Sequence, residues 1–585
     1  MAAEAEAIVT AGLRPDLFAE RGMLLASRTL VIATLALLVL AGFGFRVSGL
    51  SAEGLSEDEL NKLNAVADYR QNGLTAANGE HPMLMKALQT ASIFVVEKWN
   101  NTSLVASQNS SLHIPTETAL RLPSTIFGAL TVVLIYLLAA ELFGAEVALL
   151  AAALWTFDPQ AIGFNRIAKE DSFLLFFFLL ANIFWLRGQR VAETESSSRG
   201  PQRGSRARVV VRPERYYWAT AACFGAMMAS KYLPQLITVS ICYYWMFQAI
   251  PETRWRLGKK KFLIVILIMC AVFLLLSPTA LLPATWREMG IFAGQKRIGH
   301  DSYEFMGSLY SHRLTDWLAG IPWYLYLVFL AVKLPVLTVA AFVAGLPLLF
   351  RRKLGDGRYF ILFWLFVWTM SFVFVGGKFT RYFTLVLPAV LITAAVGVQF
   401  VGRWIAQQLA ALLSSERTSV YVRAALVLAL VLGSIAASAS GAPYFRFYTN
   451  VLGGGMAKAG FFFPHDEFYD ASMRNVMAEI ARRAKPGVRV ATETSGLAAY
   501  YAERAGRSDL VCISLSDPEA LSELTEDDFV IDARGRRYFS NDALMSALKQ
   551  RAAPEFQVAL AGVPAADVYL MDHAAVAVVA EALNK

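Results

Sequence analysis

The chain has 585 residues, of which 56% are hydrophobic and only 17% are charged. Runs such as 262–282 and 359–376 are apolar on every side, and about 20 such residues span the hydrocarbon core of a bilayer. These properties exclude a soluble multidomain protein, a disordered chain and a disulfide scaffold, and they predict a polytopic α-helical membrane protein. The four cysteines lack the spacing of a metal site.

Eleven spans are predicted in chain order: 29–46, 122–142, 146–164, 170–187, 216–230, 233–250, 262–282, 322–350, 359–376, 381–400 and 422–441. Basic residues cluster in 1–28, in the loops 188–215, 251–261 and 351–358, and between the last two spans, which predicts that all of these are cytoplasmic. We therefore expect an integral protein of a bacterial inner (plasma) membrane with its C-terminus outside. The net charge of +8 then reflects orientation and not binding of nucleic acid.

Two loops are predicted on the outer side. In the first loop (47–121), Pro82–Trp99 has the pattern of an amphipathic helix that lies in the membrane interface. Its apolar side carries Leu84, Leu88, Ala91, Val95 and Trp99, although Ile93 falls on the polar side. The second outer loop is 283–321.

After the core (29–441) and a linker (442–463), the tail (464–585) carries 13 basic and 19 acidic side chains. Its pattern alternates between strands and helices and predicts a small α/β domain outside the membrane. The predicted strands are 488–492, 510–515, 529–533 and 568–571, and the predicted helices are 471–484 and 540–551.

Ionisable groups in or beside spans are costly and are therefore candidates for function. Asp58 and Glu59 follow the first span, where they predict either an acidic helix cap or a general base near the membrane surface. His81 and Lys86 start the interfacial helix and fit either a structural or a functional role. Arg121 opens the second span, where a lone arginine usually snorkels.

The remaining charges lie at later span ends. They are Arg166, Lys169, Glu170 and Asp171 between spans three and four, Lys231 and Tyr232 between spans five and six, Lys333 inside span eight, and Lys378, Arg381 and Tyr382 at the junction of spans nine and ten. For the group at 166–171 the alternative is that its charges pair with each other, and Lys333 requires a cavity or a counter-ion. All except Lys333 are predicted at the outer face, where cations suit a phosphate headgroup.

The same residues resemble the C-type superfamily of membrane glycosyltransferases, in the group of protein O-mannosyltransferases and aminoarabinose lipid A transferases (families 39 and 83). The matching pieces are Asp58-Glu59, His81-Pro82, Arg121-Leu-Pro-Ser-Thr-Ile-Phe-Gly128, Arg166-Ile-Ala-Lys-Glu-Asp171, Lys333-Leu-Pro335 and Lys378-Phe-Thr-Arg-Tyr382. Their order and spacing match over about residues 25–400. The sequence departs from the pattern at Met83, where a second proline is common, and the tail is not explained by the resemblance.

The resemblance implies a hexosyl- or pentosyltransferase that uses a polyprenyl-phosphate sugar on the outer face, usually with inversion. It implies a catalytic carboxylate at Asp58, supported by Glu59. It implies phosphate ligands at Arg121, Lys378, Arg381, Arg166 and Lys231, and a donor pocket that includes Lys333 together with our candidates His81, Lys86, Asp171, Tyr232 and Tyr382. The acceptor would be a protein, lipid or glycan.

The residues are consistent with that chemistry. A carboxylate would take the acceptor proton, and an anionic leaving phosphate needs cations more than a general acid. We expect no required cofactor, and a divalent metal is not indicated, although Asp58, Glu59 and His81 would suit one. Two alternatives come from other classes: a lipid-linked sugar flippase or transporter, and a membrane anchor whose function resides in the tail around Asp466, Glu467 and Asp470.

Overall fold

A computed structural model describes residues 28–106, 110–197, 213–232, 235–244, 259–294, 297–413 and 416–583. Up to residue 441 the fold is helical apart from one hairpin. Its helices are α1 (Arg28–Val47), α2 (Glu57–Asn72), α3 (Met83–Asn100), α4 (Ser103–Ala106), α5 (Thr116–Phe143), α6 (Ala145–Phe157), α7 (Pro159–Asn165), α8 (Asp171–Ser197), α9 (Glu214–Ser230), α10 (Gln235–Tyr243), α11 (Lys259–Leu276), α12 (Pro283–Gly294), α13 (Leu325–Lys333), α14 (Val336–Gly345), α15 (Gly357–Phe372), α16 (Leu387–Leu413) and α17 (Glu416–Gly441).

Several of these helices are long and apolar enough to cross a membrane. Within the described ranges there are five of them, α1, α5, α8, α16 and α17, or six if α6 and α7 form one span bent by 60°. The other predicted spans coincide with shorter helices, and residues 233–234 and 245–250 of the predicted span 233–250 lie outside the described residues. The chain is therefore an integral membrane protein, and the count of eleven stays a prediction.

The predicted span 322–350 is broken at its middle. α13 ends at Lys333 and α14 starts after Pro335, because proline lacks the N–H that would continue the helical hydrogen bonds. α14 then crosses α16 at close range through Gly345 and Gly397, where a Cβ on either glycine would overlap a carbonyl oxygen of the other helix. Small residues allow this approach.

α3 confirms the helix predicted over Pro82–Trp99, but its faces need a correction. The side that carries Lys86, Gln89 and Ile93 is buried against the protein, while Val95 and Trp99 are exposed. Ile93 is thus explained, since the side classed as polar is the one that packs on the core. The exposed apolar side is the one an interfacial helix presents to lipid.

The second loop contains a hairpin that the sequence analysis missed. Strands β1 (Arg297–Phe305) and β2 (Ser308–Arg313) pair antiparallel, with Phe305 opposite Ser308. Only Met306 and Gly307 connect them, and both have positive φ, at 52° and 80°.

The tail forms a five-stranded mixed sheet in the order β4-β3-β5-β7-β6. β3 pairs in parallel with β4 and β5, whereas β7 pairs antiparallel with β5 and β6. Its elements are α18 (Pro464–Phe468), α19 (Met473–Arg483), β3 (Arg489–Ala491), α20 (Ser495–Arg504), β4 (Val511–Ile513), α21 (Pro518–Ser522), β5 (Phe529–Ala533), α22 (Phe539–Arg551), β6 (Phe556–Leu560), β7 (Val563–Leu570) and α23 (His573–Leu583). The four predicted strands and two predicted helices overlap these elements, whereas β6 was missed.

The tail does not stand apart from the first loop. One hydrophobic cluster joins Leu55 and Val66 of the first loop to Ile480, Val490 and Ile531 of the tail. Burial of this shared apolar surface holds the sheet against α2. The predicted domain boundary at residue 464 and the placement of the tail outside the membrane stay predictions.

Candidate functional site

The candidate site is built around the first turn of α2. Ser56 caps this helix: its Oγ accepts from the Glu59 amide at 3.2 Å, and the Glu59 carboxylate accepts from the Ser56 amide at 3.0 Å. This reciprocal capping box fixes the turn. Asp58 lies in the turn, and its side chain is 38% exposed, whereas Glu59 is fully buried.

Three groups approach one oxygen of Asp58, Oδ2. Lys169 Nζ lies 2.5 Å away, the Tyr469 hydroxyl donates at 2.6 Å, and Arg381 Nη1 lies 4.0 Å away. Burial alone would raise the pKa of Asp58, but Lys169, Lys62 and Arg381 together hold that pKa well below its ordinary value. Asp58 is therefore an ionised carboxylate among cations.

Glu59 and Arg121 form a buried structural pair. The five N–H groups of Arg121 all donate: two to Glu59, at 2.8 and 2.6 Å, and three to the carbonyl oxygens of Leu50, Glu53 and Gly54. Arg121 therefore has no N–H group left to donate to a phosphate in this structure. These contacts hold the first loop in place, with Glu59 fixing the turn that carries Asp58, and the phosphate role of Arg121 stays a prediction.

Arg166, whose role as a phosphate ligand stays a prediction, bonds the end of the first helix. Its guanidinium donates to the carbonyl oxygens of Arg46 at 3.0 Å, Ser48 at 2.6 Å and Gly49 at 2.7 Å. These carbonyls lie at the C-terminal end of α1, where backbone acceptors lack partners within the helix. Arg166 therefore caps α1.

The other charges between α7 and α8 pair with different elements and not with each other. Lys62, one turn after Asp58 on α2, lies 3.3 Å from Glu170, and His81 Nδ1 lies 3.4 Å from the same carboxylate. Burial lowers the pKa of His81 to about 3, so the imidazole is neutral near pH 7. Asp171 pairs with Lys231 at 2.7 Å.

Tyr382 links two of the predicted phosphate ligands. Lys231 Nζ lies 5.0 Å from its ring centroid, and the Arg381 guanidinium carbon lies 5.6 Å from the same point. Arg381 also stacks over Phe379 at 4.0 Å. Within the described ranges Arg381 donates no hydrogen bond, so its guanidinium is held by aromatic faces with its N–H groups unused.

Lys378 is a buried cation of a different kind. It donates to the carbonyl oxygen of Ile321, and it has no acidic partner in the part of the chain that the structure describes. Burial lowers its pKa to about 8. Such a lysine suits an anionic ligand.

Two of the predicted donor-pocket residues have structural partners. The ammonium of Lys86 donates to the carbonyl oxygens of Ala77, Asn78 and His81 at 2.7–3.0 Å. All three of its N–H groups are thus engaged in holding the turn before α3, and its place in the donor pocket stays a prediction. Tyr232 packs edge-on against Phe273, with ring centroids 6.3 Å apart.

Lys333, the lysine inside the predicted span, has the counter-ion that the sequence analysis required. Its Nζ lies 3.3 Å from Glu467 Oε1 in the tail and 3.3 Å from Thr449 Oγ1. Both ion-pair partners are buried. Asp466 and Asp470 are buried as well, so these three acidic residues of the tail are not surface charges.

The sequence analysis assigned no site role to three residues that meet Asp58 or its partners. Lys62 had a usable signal, because residues four apart share one face of a helix. Lys169 was noted only as a charge that would pair locally. Tyr469 had no signal, since it lies 411 residues from Asp58.

A metal centre is not formed by the described residues. They contain no group of three or more His, Cys, Asp or Glu side chains placed to hold a metal ion. In particular, Glu59 is bound to Arg121, while His81 faces Glu170.

Part of the chain matches a known protein family. A family model described as dolichyl-phosphate-mannose-protein mannosyltransferase matches residues 107–196, a stretch that contains Arg121 and the charges at 166–171. Comparison with curated protein sequences gave no match.

Solved membrane glycosyltransferases are similar in structure. The oligosaccharyltransferase of Archaeoglobus fulgidus in the apo form is 12% identical, with 87% of this chain and 70% of that chain covered and a TM-score of 0.51. ArnT from Cupriavidus metallidurans bound to undecaprenyl phosphate is 14% identical, with 93% and 98% covered and a TM-score of 0.46. The Pmt1-Pmt2 protein O-mannosyltransferase complex of S. cerevisiae bound to the sugar donor is 18% identical, with 48% and 36% covered and a TM-score of 0.31. The resemblance drawn from the sequence is confirmed, and the chain is similar in fold to the membrane glycosyltransferases of the C-type superfamily.

Proposed function

We propose that the protein is a glycosyltransferase that moves a sugar from a polyprenyl-phosphate donor to an acceptor hydroxyl or phosphate at the outer face of the membrane. The observation that carries this proposal is the half-exposed, ionised carboxylate of Asp58 with Lys169 and Arg381 beside it. A base for the acceptor and cations for the leaving phosphate are the two requirements of the reaction. The description of the matching family, which names a dolichyl-phosphate sugar, supports the donor class.

The reaction needs one displacement. The acceptor oxygen attacks the anomeric carbon from the side opposite the phosphate, the bond between that carbon and the phosphate oxygen breaks, and its electron pair leaves with the phosphate. Asp58 receives the acceptor proton. Inversion follows if no covalent sugar intermediate forms on the protein.

The cations that the sequence analysis named as candidates divide into two groups. Arg121, Arg166 and Lys86 are committed to carbonyls and carboxylates of the fold. Arg381 and Lys378 have no carboxylate within hydrogen-bonding distance in the described ranges, so we assign the donor phosphate to them, with Lys169 and Lys231 beside it. Arginine suits this role because its planar fork binds two phosphate oxygens at once.

The test is sugar transfer by the purified protein given a panel of polyprenyl-phosphate sugars and membrane acceptors. We expect wild-type protein to release sugar from one donor, Asp58→Asn to bind that donor without turnover, and Arg381→Ala to raise its KM. Asp68→Asn is the matched control, since Asp68 lies on the same helix and bonds Asn72 at 2.7 Å, away from the cluster.

The outcomes separate the alternatives. Turnover that survives in Asp58→Asn would remove Asp58 from the chemistry. Movement of a labelled donor across liposomes without any sugar release would favour a flippase. Activity that is lost equally in Asp68→Asn would mean that the helix, and not the carboxylate at 58, is being tested.

A further inference from the structure

Tyr469, a residue of the tail, contacts Asp58, the candidate general base. We propose that Tyr469 is a positioning residue that fixes one oxygen of Asp58, Oδ2, so that the other oxygen, Oδ1, faces the acceptor and takes its proton. This inference rests on the proposed transfer reaction and deepens it, because it assigns the proton to one atom.

The contacts of Asp58 are one-sided. Tyr469 donates to Oδ2 at 2.6 Å, Lys169 reaches the same oxygen at 2.5 Å, and Arg381 lies 4.0 Å from it. Oδ1 accepts no hydrogen bond from any residue that the structure describes. Because the side chain is 38% exposed, Oδ1 is the oxygen available to an incoming hydroxyl. A carboxylate anchored through one oxygen presents the other in a fixed direction, which is the geometric requirement for a general base.

The backbone around Tyr469 is held in an unusual conformation. Tyr469 has φ 46° and Asp470 has φ 61°, two consecutive non-glycine residues in the left-handed region. Such conformations persist only where the surroundings impose them, and they concentrate at functional sites. A turn needed only to connect α18 to α19 would favour glycine at these positions.

The residues that hold this turn in place come from both α2 and the tail. Asp470 accepts from the backbone N–H of Glu57, the residue before Asp58, at 3.0 Å. Arg536 of the tail bonds Asp470 and also reaches Glu57 Oε2 at 3.1 Å. The turn is therefore fastened through Asp470 to Glu57, directly beside the contact between Tyr469 and Asp58, and the phenol reaches Asp58 with its direction set.

The alternative is that Tyr469 is an ordinary buried phenol that happens to find a nearby acceptor. Its ring is 7% exposed and lies 5.6 Å from the Arg446 guanidinium, so packing alone would keep it in place. The two explanations differ in what the hydroxyl does. Only the positioning role makes kcat depend on the oxygen atom of Tyr469 while the ring stays.

The test compares Tyr469→Phe with Tyr500→Phe in the full-length protein. Tyr500 is a half-buried tyrosine of the tail whose hydroxyl bonds Arg504. We expect Tyr469→Phe to lower kcat by about 10- to 100-fold, the size expected from loss of a hydrogen bond to a charged group and of orientation. We expect the KM for the polyprenyl-phosphate donor to stay unchanged. Loss of the hydrogen bond that the Tyr469 hydroxyl donates to Oδ2 also raises the pKa of Asp58. The acidic limb of the pH profile of kcat should therefore move to higher pH.

Each result decides something. A lower kcat with a displaced acidic limb in Tyr469→Phe, together with wild-type behaviour of Tyr500→Phe, supports the inference. A wild-type kcat and profile in Tyr469→Phe overturn it, as does a change confined to donor KM. A lower kcat with no movement of the limb and a lower melting temperature also overturns it, because packing then explains the loss. If wild-type protein turns over no donor, the proposed function fails first and separately.

Discussion

Arg121→Lys tests whether the arginine at the start of α5 holds the fold or binds phosphate. Arg121 places five N–H groups on acceptors at 2.6–2.9 Å. Lysine offers three donors, so at least two buried acceptors lose their partner, at about 1–3 kcal/mol each. The expected destabilisation is about 2–6 kcal/mol, a large part of the ~5–15 kcal/mol that folded domains have.

The assay is thermal unfolding in detergent, with donor binding measured on the folded fraction. We expect a clearly lower melting temperature and an unchanged donor KM. Arg474→Lys is the control: Arg474 donates to the carbonyl of Ala52 in the same loop at 3.0 Å but is partly exposed, so its loss should cost no more than about 1 kcal/mol. An Arg121→Lys protein that melts like wild type but no longer binds donor would refute the reasoning and restore the phosphate role.

Three further predictions concern pH, the buried ion pair and the helix crossing. Burial lowers the pKa values of Lys169 and Lys378 to about 8. Both lysines are cations below that pH and lose their charge above it. We therefore expect kcat/KM for the sugar donor to fall as pH rises through about 8. Lys378→Arg should make this fall shallower, because Lys169 alone then loses its charge near pH 8, and a wild-type profile that is flat to pH 10 would contradict the prediction. Glu467→Gln leaves Lys333 buried without its counter-ion and should lower the free energy of unfolding, measured by chemical denaturation, by about 3–5 kcal/mol. Adding Lys333→Met to Glu467→Gln should restore most of that loss. If the losses of the two single variants simply add in the double variant, the two residues do not form a pair. Gly397→Ala should lower stability by about 1–3 kcal/mol through overlap with α14, and an unchanged melting temperature would count against that close crossing.

Short-range sequence patterns predicted many of the local features of the structure. Apolar runs located the helices, and one of the two alternatives for Asp58 and Glu59, an acidic helix cap, is present as a capping box between Ser56 and Glu59. β5 was predicted with its observed bounds, 529–533. These features depend on residues within a few positions of each other, where sequence distance and spatial distance agree.

The contacts that the sequence analysis did not find join residues that are distant in sequence. Nothing local shows that backbone carbonyls accept hydrogen bonds from Arg121 and Arg166. Lys333 was expected to need a counter-ion, but Glu467 lies 134 positions further on, in a segment treated as a separate domain. The hairpin β1–β2 was missed because its two-residue turn, Met306-Gly307, lacks the usual asparagine or aspartate before the glycine.

The joining of the first loop to the tail has a consequence for how the protein is made. Asp58 leaves the ribosome 411 residues before Tyr469, which is about 20–80 s at ~5–20 residues per second. During that interval α2 has neither the phenol at Oδ2 nor the sheet that covers Leu55 and Val66. The newly made chain therefore carries an incomplete site until its final segments have been synthesised, and activity should appear only once the tail has folded onto α2.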